Sequence, residues 1–152
     1  MRLVDRHIIN RTHNFWPVCD ELAFKSKNLY NLANYYCRQH FFNCSKSLDL
    51  TKLYHATKDN DAYRALPTKV SKQIIKCLVA TWRGYFQAIK EWSKHPQKFL
   101  GKPKIPKYKD KTQGRNVVIY SKESVYKASL KDGICHLSMS CLLYTSPSPR
   151  DA

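Results

Sequence analysis

The stretch Leu66-Pro-Thr-Lys-Val-Ser-Lys-Gln-Ile-Ile-Lys-Cys-Leu-Val-Ala-Thr-Trp-Arg-Gly-Tyr-Phe-Gln-Ala-Ile-Lys-Glu-Trp92 carries two apolar stripes at helical spacing. Val70, Ile74, Cys77, Leu78, Thr81, Tyr85, Ala88 and Trp92 mark one face over about six turns; Ile75, Val79, Trp82, Phe86 and Ile89 lie beside it. A helix that is apolar on two sides is packed between partners. This segment therefore reads as the spine of a small helical bundle, starting at Leu66-Pro-Thr68. Lys69, Lys72, Lys76, Arg83 and Lys90 fall on the remaining surface, where they face phosphate or water.

Working back toward the N-terminus, the charged loop Lys58-Asp-Asn-Asp61 separates this helix from a short one over Leu50, Leu53 and Tyr54, capped by Ser47 or Asp49. A polar break at Asn43 to Ser47 precedes it. Before that break, Val18, Leu22, Leu29, Ala33 and Tyr36 predict a helix of about twenty-five residues with one buried face. Asn14 is placed to cap it, Pro17 suits its first turn, and Asp20 and Glu21 suit the positive end of its dipole. The rings that crowd its end (Tyr30, Tyr35, Tyr36, Phe41, Phe42) read as core before they read as base-stacking groups. Leu3, Val4, Ile8 and Ile9 predict a first strand over residues 2–10.

Toward the C-terminus, Lys98-Phe-Leu-Gly-Lys-Pro-Lys-Ile-Pro-Lys-Tyr-Lys-Asp-Lys111 cannot be helical, because Pro96, Pro103 and Pro106 fix their own φ and push the residues before them into extended backbone. It reads as a stiff strap that holds lysines toward solvent. Asn116-Val-Val-Ile-Tyr120 and Ile134-Cys-His-Leu-Ser-Met139 read as strands, and Lys131-Asp-Gly133 as a turn. A first strand whose partners arrive only after residue 115 implies a helical insertion within a β-domain. The expected fold class is therefore α+β.

The charge balance points to the partner. The formal net charge is +16, and it is uneven: residues 1–65 carry ten Lys/Arg against six Asp/Glu, whereas residues 66–152 carry seventeen against five. Such an excess suits a polyanion, and lysines along an extended strap suit phosphates spaced along a strand, each contact releasing counterions. The candidate nucleic-acid-binding residues are Lys69, Lys72, Lys76, Lys98, Lys102, Lys104, Lys107, Tyr108, Lys109, Lys111 and Arg115. Trp82 is the ring that competes between base stacking and core. No stretch approaches the ~18 apolar residues of a spanning helix, so a membrane is not the expected partner; nor is a small molecule. No signal peptide is visible after Met1, six cysteines without one read as reduced thiols, and the expected location is the cytoplasm.

Catalytic chemistry is not expected within this chain. Hydrolysis of a phosphodiester by two metals needs carboxylates that converge on a shared pair, and the eleven acidic residues are scattered. Cys37, His40 and Cys44 form the best metal constellation, but the paired Cys-x-x-Cys of a zinc site is missing, so buried thiols are the preferred account. Cys135 and His136 alternate along a strand and cannot act as a pair. With four glycines, none suitably spaced, there is no phosphate loop.

Four segments carry a family resemblance: Met1-Arg-Leu-Val-Asp-Arg-His-Ile-Ile9, Leu22-Ala-Phe-Lys-Ser-Lys-Asn-Leu-Tyr-Asn-Leu-Ala-Asn34, Tyr63-Arg-Ala-Leu-Pro-Thr-Lys-Val-Ser71 and Gly101-Lys-Pro-Lys-Ile-Pro-Lys-Tyr-Lys109. In this order they resemble the start of TnpB-type (OrfB) transposase proteins of bacterial insertion sequences, a family of RNA-guided DNA endonucleases. The resemblance implies a helical recognition domain set into a β-barrel wedge domain, which together bind a guide RNA scaffold and target DNA. It implies a first wedge-like strand in 1–13, the helical domain in 14–94, and the strap with further wedge-like strands in 95–140, giving a helical bundle inserted into a small, incomplete β-barrel. The family's RuvC-like nuclease, with its divalent metal and zinc element, lies further along and has no counterpart here. Residues 141–152 drop the strand pattern for a Ser/Pro run that resembles translated adapter sequence, so the expectation is a non-native tail on an N-terminal fragment. The rival readings are a sequence-specific DNA-binding domain with a helix-turn-helix near residues 49–92, a stand-alone basic protein of ribosomal type, and a remnant that does not fold alone.

Overall fold

The computed structural model describes residues 2–125 and 131–137. Four helices come first in the chain: α1 (Trp16–Cys44), α2 (Leu50–Thr57), α3 (Asp61–Arg64) and α4 (Thr68–Lys94). The long helices α1 and α4 pack against each other, and the short α2 and α3 close the bundle against both.

The two-stripe pattern of α4 sets this arrangement. Val70, Ile74 and Leu78 on one stripe and Ile75, Val79 and Trp82 on the other are all buried, and they share one core with Leu22, Leu29, Ala33 and Cys37 of α1, Leu53 of α2, Tyr63 of α3 and Leu66. Phe41 joins the end of that core, its ring 5.6–5.9 Å from those of Trp82, Tyr85 and Phe86. Burial at Trp82 decides its role: the ring is core.

The helix ends differ from expectation at α1. Phe15, not Asn14, is its N-cap, and it makes no side-chain cap; the Phe15 amide instead donates to His13 Nδ1 at 3.0 Å. Asp20 and Glu21 thus fall past the first turn. At the far end, Ser45 takes left-handed backbone (φ 56°), which lets its amide close on Phe41 O at 2.7 Å. Asn60 caps α3 by accepting from the Ala62 amide at 2.9 Å.

The β-barrel is overturned. Among the described residues there is no sheet, and the only strand-type pairing is one antiparallel bridge between Val125 and Leu137. Over the described residues the fold is a helical bundle with an extended strap, not α+β. Residues 2–10 form no strand, and Leu3, Val4 and Ile8 are exposed. Residues 116–120 form none either, for a physical reason: their backbone finds its partners on α1. The Asn116 amide donates to Ala23 O (3.2 Å), and Ser26 Oγ donates to Val117 O (2.7 Å). The β-branched run still packs, with Val118 and Tyr120 against the core, but against a helix. Of the segment 134–139, residues 138 and 139 lie outside the described residues, as do 126–130 and the tail 141–152. The turn at Lys131-Asp-Gly133 is present, with Gly133 at φ +72°.

Candidate nucleic-acid interface

After α4 the chain makes one 3-10 turn (Pro96–Lys98) and then runs as the strap along α1, in the opposite direction to it. Side chains of α1 hold the strap by its main chain. Arg38 Nη1 and Asn34 Nδ2 both donate to Pro106 O, at 2.8 and 3.1 Å. One turn back, Tyr30 Oη donates to Lys107 O at 3.2 Å. Asn31 brackets Lys109, donating to its carbonyl (3.0 Å) and accepting from its amide (2.8 Å). Lys27 Nζ donates to Lys111 O. Near the start of the helix, Asp20 takes Arg115 Nε at 2.8 Å.

These residues recur at helical spacing along one side of α1, and the side chains at 27, 30, 34 and 38 offer the strap donors only. That suits a strand whose prolines, Pro103 and Pro106, have carbonyls to satisfy and no amides to offer. Asn34 also accepts from Trp82 Nε1 at 2.9 Å, so one fully buried side chain ties α1, α4 and the strap together.

Lys27 is the unexpected member. It is 1 % exposed, sits 3.6 Å from the centre of the Phe24 ring, and donates to Asn28 Oδ1 as well as to Lys111 O. Burial lowers its pKa, and the nearby charges of Arg115 and Lys111 lower it further. Beyond it the strap turns at Asp110, whose carboxylate accepts from the amides of Gln113 (2.7 Å) and Thr112 (3.0 Å); these bonds hold the carboxyl below its ordinary range.

With its main chain held inward, the strap turns its lysines outward. Lys102, Lys104, Lys107, Lys109 and Lys111 are all exposed, and among the described residues none forms a salt bridge. Lys102 lies over the Trp92 ring (5.6 Å) and Lys109 over Tyr30 (5.3 Å). Tyr108, half exposed, has the Arg38 guanidinium 4.9 Å from its ring centre.

The remaining candidates are placed differently. Arg115 is a brace, bound to Asp20 and to the carbonyls of Thr112 and Gly114; the bond to Asp20 raises the pKa of Arg115 and lowers that of Asp20. Lys98 pairs with Glu91 at 3.2 Å and Lys69 with Glu123 at 3.4 Å. Lys69, Lys72 and Lys76 form an exposed stripe of their own on α4, where Lys72 lies 5.5 Å from the Tyr54 ring centre.

No family model matches this chain, nor does any curated protein or solved structure.

Of the metal constellation, Cys37 is buried in the core and its thiol is pushed up to about 12 by that burial. His40 Nε2 and Cys44 Sγ meet at 3.3 Å on the surface. Among the described residues no group of three His, Cys, Asp or Glu side chains converges, and no helix is long and apolar enough to cross a membrane. Reading the sequence alone misses Lys27, Asn31, Asn34 and Arg38. Their signal is a second periodicity, a polar stripe at positions 27, 31, 34 and 38 within a helix otherwise read for its apolar face.

Proposed function

We propose that this chain binds nucleic acid by the phosphate backbone, with the strap from Lys102 to Lys111 as the grip, in the manner of the guide-RNA- and DNA-gripping N-terminal part of a TnpB-type endonuclease. The observation that carries the reading is the inward anchoring of the strap. Because α1 holds the main chain at Pro106, Lys107 and Lys109, and again at Lys111 where the turn begins, the exposed lysines are carried on an anchored backbone. Extended backbone advances about 6.6 Å every two residues, similar to the separation of successive phosphates on an extended strand, so Lys107 and Lys109 can each meet one phosphate, while Lys111 opens the turn at Asp110. The cytoplasm is the proposed setting, in keeping with free thiols at Cys19, Cys37, Cys44, Cys77 and Cys135. Cutting is assigned to no residue of this chain.

The test is RNA binding at several salt concentrations, comparing the chain with a variant carrying Gln at Lys104, Lys107, Lys109 and Lys111. The expected result is weaker binding and a log–log salt slope shallower by about 0.7 for each phosphate of a single strand that is no longer neutralised. An unchanged slope refutes the grip. Preference for duplex DNA that survives in the variant would move the interface to the Lys69–Lys72–Lys76 stripe of α4.

A further inference from the structure

The outer side of α1 where it meets the strap carries more than charge. Tyr35, Arg38 and Phe42 recur at i, i+3 and i+7, so they lie on one face of the helix. The same row begins at Asn31, which binds Lys109, and between Lys109 and the Arg38-bound Pro106 the strap contributes Tyr108. Arg38 lies between two rings, its guanidinium 4.9 Å from the centre of Tyr108 and 5.9 Å from that of Phe42. Its bond to Pro106 O fixes the guanidinium in place.

Tyr35, Phe42 and Tyr108 are 49 %, 60 % and 46 % exposed. The neighbouring rings Phe41, Tyr85 and Phe86 pack against the core, so exposure at these three is selective and not a general property of the aromatic cluster. These open rings, with Tyr108 set between Lys107 and Lys109 in the chain, offer flat apolar faces next to a strap of exposed lysines. An apolar protein surface would be repelled by neither feature but would leave the lysines unpaired. A duplex would satisfy the lysines but present no free base face.

We propose that Tyr35, Arg38, Phe42 and Tyr108 form a stacking platform for unpaired bases, which makes the strap selective for single-stranded nucleic acid. The proposal rests on the phosphate-grip reading and specifies its ligand: a strand whose phosphates run along the lysines while its bases turn onto the rings and the guanidinium plane. Stacking meets the face of the base and not the sugar, so ribose and deoxyribose strands serve equally.

The test uses the full chain and four probes of equal phosphate count: oligo(rA), oligo(dA), an abasic oligomer and an RNA duplex. Oligo(rA) and oligo(dA) are expected to bind within about threefold of one another and about tenfold tighter than the abasic strand, a factor within the range for one stacked base. A Phe42→Ala/Tyr108→Ala variant should close that gap while leaving abasic binding unchanged. Tyr108→Phe, which keeps the ring, should retain the gap. Equal affinity of the parent chain for oligo(rA) and the abasic strand overturns the platform and leaves the grip standing. Failure to bind the abasic strand at low salt overturns the grip itself, and duplex binding as tight as that of oligo(rA) overturns the single-strand selectivity. A variant that weakens every probe alike shows that the rings act only by packing, and that also overturns the platform.

Discussion

Asn34→Ala is the substitution that tests the architecture most directly. The Asn34 side chain is fully buried and makes two bonds: Oδ1 accepts from Trp82 Nε1 at 2.9 Å and Nδ2 donates to Pro106 O at 3.1 Å. Truncation leaves the Trp82 indole N–H without its partner in a ring that is 2 % exposed, which costs about 1–3 kcal/mol. Pro106 O keeps Arg38 as a donor, so that loss is smaller, about 0.5–1.5 kcal/mol. The expected total is about 2–4 kcal/mol, or a melting point about 6–12 °C lower at roughly 3 °C per kcal/mol for a chain of this size. Urea titration followed by circular dichroism measures it without relying on Trp82 fluorescence. In a Trp82→Phe background the orphaned donor no longer exists, and the cost of Asn34→Ala should shrink to about 1 kcal/mol, the part owed to Pro106. A cost below about 0.5 kcal/mol in the parent, or the same cost in both backgrounds, would refute Asn34 as the tie between helices and strap.

Three further outcomes follow from neighbouring features. In Gly114→Ala the new Cβ would press on the Asp110 main chain, 2.7 Å from its amide nitrogen, so the turn must open; we expect a loss of about 1–3 kcal/mol, read by thermal melting. Asp20 is held below its ordinary pKa chiefly by its hydrogen bond from Arg115, so its contribution to stability is complete above the usual carboxylate range and is lost as pH falls below it. Melting points measured from pH 5 down to pH 2.5 should therefore fall less steeply in Asp20→Asn, with the remaining slope owed partly to Asp110, whose pKa is shifted the same way. Iodoacetamide at pH 8 should alkylate the exposed Cys44, Cys77 and Cys135 and spare Cys37 until urea unfolds the chain; mass spectrometry of the digest reads each site, and early modification of Cys37 would contradict its burial.

The helices are legible in the sequence because their signal is local and repeated. Two adjoining stripes on α4 require two packing partners, and α1 with α2 and α3 provides them. The start of α1 is misplaced by one residue because Asn14 makes no cap: the helix begins after Phe15, whose amide is taken by the His13 ring, a contact that residue type alone does not announce. The strands fail for a different reason. A β-branched run such as Val117-Val-Ile119 reports that a segment is extended and half-buried, but not whether its hydrogen-bond partner is another strand or a row of side chains on a helix. Here Ser26 and the Ala23 carbonyl take that place. Within the candidate interface, the lysines and Tyr108 are visible as composition. Arg38 and Phe42 are not, because in sequence they belong to a ring-rich helix end and only the path of the strap sets them beside Tyr108.

Lys27 and Arg38 are both cations, and they hold a strap that carries five lysines of its own. Burial lowers the pKa of Lys27 most, Arg115 and Lys111 lower it further, and Asp110 opposes them. Asp110 and the Asp20 partner of Arg115 offset part of that like-charge contact, and the exposed strap lysines add the rest of the positive charge. Added salt, which shortens the reach of those charges to about 10 Å at 0.1 M, relieves the folded state even with no ligand present. A polyanion that engages the seated strap more tightly than the unfolded chain does more, since its binding energy is added to that of folding. Stability and occupancy would then be linked: a polyanion bound by the proposed grip would also hold the strap more firmly on α1.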